Sequence, residues 1–316
     1  MAASSSSNVN NEENIFQQQG FVVVSWNVLH LIHEINHTYD LSPVINRYSI
    51  KENWSNEQQR LNDIIKTLSD ILVKYSSIEC FICLQEVPGD LLPMLDTMIH
   101  AHVGSVLINK PMIHVRSYPR VPATRQRPRQ PLYTNPNENL VTIHYNPYVA
   151  DANIAVDNRM GATSTLLNDR ADWTQCPCDP GKGALTIVTS SGLTVVNIHV
   201  PFKEQHAISL LNSLHWPRQD TPFVLVGDIN RQAPAFMRLI QTATNGKPSA
   251  GLLCSIAPDK PTRVGLEQDG TLKKYCIDHY LVSASLRNST TAPALVYDNI
   301  GDISDHFPII LQFNSM

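Results

Sequence analysis

The sequence predicts an α/β fold whose strands are mostly covered on both faces. Short runs rich in Val, Ile and Phe recur along the chain, and most are apolar at consecutive positions. That pattern belongs to strands buried on two sides, because a half-exposed strand would alternate. Segments with apolar residues at helical spacing lie between several of the runs. Polar residues gather where the apolar runs stop.

The expected strands are Phe21–Ser25, Cys80–Leu84, Leu140–His144, Ala184–Thr189, Leu193–Ile198, Phe223–Val226, Cys276–Val282 and Phe307–Phe313. Ser190, Ser191 and Gly192 supply a turn, so Ala184–Ile198 reads as a hairpin. Leu61, Ile64, Ile65, Leu68, Ile71, Leu72 and Tyr75 follow the i, i+3, i+4, i+7 rule and define a helix. Ser55 and Gln58 have the spacing of a capping box at its start. A second helix is expected over Lys203–His215, and a third begins near Ala233. No repeat and no linker follows residue 20. The expectation is one domain over 20–316, preceded by a disordered polar tail, 1–19.

At 316 residues and 42% hydrophobic, the chain can bury a large core. A formal charge of −4 gives no general attraction to polyanions, so any nucleic acid must be held by a local patch. There is no run of 18 apolar residues to cross a membrane. The first twenty residues lack the basic-then-apolar pattern of a secretory leader. These features suit an intracellular protein, cytoplasmic or nuclear and not secreted. Cys80 and Cys83, three apart on a strand, point to opposite faces and read as core. Cys176 and Cys178 could pair or join a metal with a distant partner. Two reduced thiols is the simpler reading.

From Ser117 to Asn137 the chain has five prolines and no acidic residue. That proline density rules out a helix or a central strand, so the segment reads as a loop. Arg120, Arg125, Arg127 and Arg129 punctuate it, with Arg116 just before. Such a loop either holds phosphates or is a solvated tether. Arg125, Arg127 and Arg129 are the candidate substrate contacts.

The strand ends are more informative. They read Ser25-Trp26-Asn27, Leu84-Gln85-Glu86, Asn197-Ile198-His199 and Gly227-Asp228-Ile229-Asn230, with Asp278-His279 and Ser304-Asp305-His306 beside two later runs. In open α/β sheets ligands gather at strand ends. One such residue has a plain explanation as a turn or cap. Six ends of this kind in one chain point to a site.

The ordered series SWNVL, LQEV, NIHVP, VGDIN, CIDHYLVS and SDHFPI resembles the signature set of the endonuclease/exonuclease/phosphatase superfamily. The resemblance implies a four-layer sandwich, two packed mixed β-sheets flanked by helices. It also implies a magnesium-dependent phosphodiesterase, with manganese able to substitute. Glu86 would be the principal metal ligand, with Asn27 and Asp305 nearby. Asp228 would be the general base, Asn230 a donor to a phosphate oxygen, and His306 and His199 charged donors on either side of the phosphate. Asp278 would orient an imidazole and raise its pKa.

The branch is narrowed by departures. Leu29 stands where the abasic-site endonucleases, and the enzymes that remove tyrosyl adducts from DNA ends, resemble one another in having an acidic residue. Tyr275-Cys276-Ile277-Asp278 replaces the Trp-Cys-Asp-Arg of inositol polyphosphate phosphatases. WNVL, then Trp54 and Arg60 before CLQEV, look closest to the deadenylase-type branch. The expected function is a nuclease acting on RNA or single strands. The alternative is a phosphatase on a small phosphate ester or an inositol phosphate. A non-catalytic binding protein on the same fold is a further rival, though every expected catalytic position is filled. Another is a zinc metalloprotease, since His33-Glu34-Ile35-Asn36-His37 fits H-E-x-x-H and Glu57 falls at a third-ligand spacing. That chemistry needs both histidines on one face of a long, packed helix, and the apolar face available here is short.

Overall fold

A computed structural model describes residues 20–38, 40–118, 132–148, 155–160, 181–216, 221–244, 253–266, 270–291 and 293–315. With strands numbered along the chain, the first sheet contains β1 (Phe21–Asn27), β2 (Glu79–Pro88), β3 (Met112–Tyr118), β4 (Glu138–Tyr145), β13 (Leu295–Val296) and β14 (Ile309–Phe313). Their order is β13-β14-β1-β2-β4-β3. The second contains β5 (Ala155–Met160), β6 (Gly183–Val188), β7 (Thr194–His199), β8 (Phe223–Asp228), β9 (Leu253–Ile256) and β12 (Asp278–Ser283). Its order is β5-β6-β7-β8-β12-β9, and β10 (Arg263–Leu266) with β11 (Leu272–Tyr275) forms a separate hairpin.

Strand alternation sorts the apolar residues into three layers of core. Phe21, Val23, Phe81 and Cys83 of the first sheet meet Val195, Val224, Val226 and Tyr280 of the second. Val22, Val24, Cys80 and Ile82 point the other way, onto α3 (Glu57–Lys74) and α4 (Leu91–His102). Val196, Ile198 and Leu225 pack under α5 (Glu204–Ser213) and α6 (Ala233–Thr244). The result is the four-layer sandwich, and Cys80 and Cys83 do face opposite layers. The Tyr280 hydroxyl crosses the inner layer, 2.7 Å from Val23 O and 2.8 Å from Ile309 O.

Each sheet holds one parallel pair at its centre, β1 with β2 and β7 with β8. The C-terminal ends of these pairs lie on the same side of the sandwich, as contacts described below show.

Several expectations need correction. The helix does not start with a Ser55–Gln58 capping box. Asn53 Oδ1 instead accepts from Ser55 N at 3.1 Å and opens a 3-10 turn, Trp54–Asn56, that runs into α3. Ser117 and Tyr118 are not loop; they end β3, which pairs with β4 through Glu138. The tail 1–19, Cys176, Cys178 and the arginines 120, 125, 127 and 129 lie outside the described residues. No helix among the described residues is long and apolar enough to cross a membrane.

Candidate active site

Asn27 ends β1, and its side chain makes a local turn by accepting from Leu29 N at 3.0 Å. Leu29 adopts φ +63° and buries its side chain in the outer core. Glu86 sits in a β-bulge, where pairing with β4 shifts between Leu84 and Val87. A bulge re-aims one side chain, and Glu86 takes φ +54°, costly for a non-glycine residue.

From the second sheet, Asp228 and His199 stand in register at the ends of β8 and β7. Asp278 opens β12 directly opposite Asp228. Gly227 precedes Asp228 at φ +151°, where a Cβ would meet Ile198 O at 1.8 Å. Only glycine lets β8 approach β7 so closely.

These ends converge. Asn27 Nδ2 donates to Asp228 Oδ2 at 3.0 Å, joining the two sheets. His199 Nε2 lies 3.3 Å from that same oxygen and 3.6 Å from Glu86 Oε1. His306 Nδ1 lies 2.9 Å from Asp278 Oδ2, while its Nε2 points at Asp228 Oδ2, 3.6 Å away. Thr262 Oγ1 donates to Asp278 at 2.6 Å, and Trp26 Nε1 donates to His306 O at 3.0 Å. Asn230 has φ +57°; its backbone N–H donates to Asp228 Oδ1 at 2.8 Å and its side chain to Val200 O at 2.9 Å. With Asp305 Oδ1 4.0 Å from His306 Nε2, the residues Asn27, Glu86, His199, Asp228, Asn230, Asp278, Asp305 and His306 all fall in one cluster. The candidates Arg125, Arg127 and Arg129 lie outside the described residues.

The sequence reading missed four members. Lys182 is 2% exposed, with Nζ against His199 Nε2 and 3.5 Å from Glu86 Oε1. Arg263 Nε donates to Asp305 Oδ2 at 2.8 Å. Glu138 Oε2 lies 3.2 Å from His33 Nε2. The fourth is Thr262, already placed on Asp278. Only Lys182 left a signal, a lysine between Gly181 and Gly183 just before an apolar run.

The electrostatics follow from burial and opposing charges. Burial disfavours the charged form of Glu86, yet His33, Lys182 and His199 outweigh it and hold the carboxyl well below its usual range. Asp228 is likewise pulled down against its own burial, by His306, His199 and Lys182. His306 is buried, which favours the neutral ring, but Asp278, Asp305 and Asp228 push its pKa up to about 9. Burial raises Glu34, and repulsion from Asp305 adds to it.

Among the described residues, three groups of carboxylate and imidazole are close enough to hold a metal ion: His33/Glu86/Glu138, Glu86/His199/Asp228 and Asp228/Asp278/His306. Asp305 Oδ1 is buried and has no hydrogen-bond partner among the described residues. The preceding residue, Ser304, donates its hydroxyl to Asn27 O at 2.8 Å, and an orphaned carboxylate oxygen at this place suits a hard cation such as magnesium.

The zinc-protease reading fails on geometry. The helix α1 (Ile32–His37) has six residues, His37 is exposed, and no metal-binding group among the described residues includes it. Glu57 is buried with Arg60, its Oε1 2.6 Å from Arg60 Nη2.

That pair has another task. Arg60 Nη1 donates to Val28 O at 2.8 Å and Ile303 O at 3.0 Å, and Nη2 to Leu29 O at 2.8 Å. It ties the loop after Asn27 to the loop before Asp305. Arg60→Met should cost about 3–5 kcal/mol in denaturant unfolding, because Glu57 is left buried without its cation. Replacing both partners with apolar residues should cost less. An unfolding midpoint equal to wild type in the single variant would show that the clamp contributes nothing.

The His306–Asp278 contact gives a pH prediction. A raised imidazole pKa stabilises the fold fully below about 6.5 and loses that contribution as pH climbs through about 9. Asp278→Asn should therefore move any alkaline limb of activity to lower pH. An unmoved limb in the rate profile would separate Asp278 from the charge on His306.

No family model and no curated protein sequence matches the chain. Solved structures do. An endonuclease/exonuclease/phosphatase family protein from Leptotrichia buccalis superposes with TM-score 0.53 at 12% identity, covering 93% of this chain and 99% of that one. An endonuclease/exonuclease/phosphatase from Beutenbergia cavernae gives TM-score 0.50 at 11% identity, covering 94% and 72%. The chain has the endonuclease/exonuclease/phosphatase fold.

Proposed function

We propose that the chain is a divalent-cation-dependent phosphodiesterase that cleaves nucleic acid, RNA or single strands, with magnesium as its natural ion and manganese able to replace it. The observation that carries this reading is the meeting of Asp228, His306 and Glu86 between the two sheets. An ionised acid, a cationic imidazole and an ion-binding carboxylate stand there together.

Asn27, Glu86 and Asp305 are the residues that would hold the cation. When bound, it would neutralise charge on the phosphate and on the departing oxygen. Asp228, fixed by Asn27 and the Asn230 backbone, orients the attacking water and accepts its hydrogen bond. Its depressed pKa makes it a better orienting acceptor than a strong base. His306 stays protonated at neutral pH, so its Nε2–H can donate to a phosphate oxygen as negative charge builds. Asp278 keeps that ring turned. His199 reaches from the β7 side, and the second amide hydrogen of Asn230 is available to a non-bridging oxygen. Arg125, Arg127 and Arg129 are proposed to guide the strand by phosphate contacts.

The test is a panel of 5′-labelled oligonucleotides beside a small chromogenic phosphodiester and a small chromogenic phosphomonoester, each with and without chelator. Cleavage of the oligonucleotides that stops on chelation and returns with magnesium is the expected result. Hydrolysis of small monoesters alone would favour a phosphatase, and activity in excess chelator would overturn the reading.

A further inference from the structure

We propose that His33, Glu86 and Glu138 form a second cation site, for a divalent transition-metal ion of the manganese or zinc class. It shares Glu86 with the proposed reaction site but stands independently of the reaction.

The three residues come from separate elements, α1, the bulge of β2 and the first position of β4. Their ligand atoms all lie within 4.8 Å of one another. His33 Nε2 is 3.2 Å from Glu138 Oε2 and 3.5 Å from Glu86 Oε2. A hydrogen bond explains the first distance, but the second is beyond a good N–H···O contact. Both distances also fit an ion held between the three side chains. Bonds of about 2.1 Å put neighbouring ligand atoms about 3.0 Å apart in an octahedron and about 3.4 Å apart in a tetrahedron.

Glu86 can serve two ions because its oxygens face apart. Oε1 looks toward Lys182 and His199, and Oε2 toward His33 and the His30 N–H. Glu138 is fully buried, and the chain beside it is fitted to its carboxylate. Gly181, at φ +82°, passes so close that a Cβ there would meet Glu138 Oε1 at 2.1 Å. The His33 side chain is 17% exposed, which leaves a way in for water and the ion. One imidazole nitrogen with two carboxylates selects the ion class. Magnesium prefers an all-oxygen shell, whereas manganese and zinc accept nitrogen readily. The zinc-protease motif thus contributes His33 to a cation site whose other two ligands lie far along the chain.

The test uses cobalt(II) as a spectroscopic probe and manganese titration calorimetry on the full chain. Wild type should bind one ion with a nitrogen-containing cobalt spectrum that excess magnesium does not displace. His33→Gln and Glu138→Gln should each lose that spectrum and weaken this ion at least about tenfold. Asp305→Asn should keep it. Unchanged cobalt binding in both glutamine variants would overturn the site. If those variants fail to fold, anomalous scattering from manganese-soaked wild-type crystals decides. A peak between His33 and Glu138 supports the site, and its absence there overturns it. Failure of the reaction reading would show separately, as full phosphodiesterase activity in Asp305→Asn whatever its cobalt spectrum.

Discussion

Glu86→Gln is expected to lower phosphodiester hydrolysis by at least about a thousandfold while the fold stays intact. Glutamine keeps the shape of the side chain and removes its charge. The carboxylate is buried, lies in a bulge that aims it inward, and is held ionised by His33, Lys182 and His199. Without the negative charge, magnesium affinity should fall along with the rate. The measurements are turnover at saturating magnesium, magnesium affinity by calorimetry, and a thermal melt to verify folding. Wild-type turnover in this variant would remove Glu86 from the mechanism.

Asp228→Asn comes next in size, with an expected loss of about 10²–10⁴ in kcat. Asparagine can still contact Asn27 and the Asn230 backbone, so position is largely kept. What is lost is an ionised acceptor for the attacking water and the anion facing His306 and His199. With that negative charge gone, the His306 pKa should drop and the alkaline limb should shift down as well. A variant with a normal rate and an unshifted profile would mean that another group orients the water.

Much of this arrangement was legible in the sequence, for a physical reason. Asn27, Glu86, His199 and Asp228 each follow a run of apolar residues buried on both faces, so a polar residue there stands out. Asp278 and His306 were found through the resemblance and through their places beside such runs. Lys182, Glu138, Thr262 and Arg263 come from loops and strand starts. Their chemistry exists only once distant segments meet, and no local pattern encodes that meeting. The same limit explains the missed elements. In β11 the residues Leu272–Tyr275 read LKKY and are largely exposed, so no apolar run marks the strand. The helix α4 was hidden by Pro93, which sits in its first turn, where a missing N–H costs nothing. The capping box failed because Asn53, two residues before Ser55, caps the earlier turn instead.

The cluster is divided almost evenly between the two halves of the sandwich. Asn27 and Glu86 belong to the first sheet and Asp305 and His306 lie just before its strand β14, whereas His199, Asp228 and Asp278 belong to the second. The contacts between Asn27 and Asp228, His306 and Asp278, and Gln85 and Asn197 all cross the seam. Neither sheet therefore holds the whole cluster. A shear of one sheet against the other by about an ångström, too small to break a strand or a helix, would separate every one of these pairs at once. On the proposed reading, the reaction is in that sense a property of the joint, and loosening the joint is expected to lower the rate before the fold is lost.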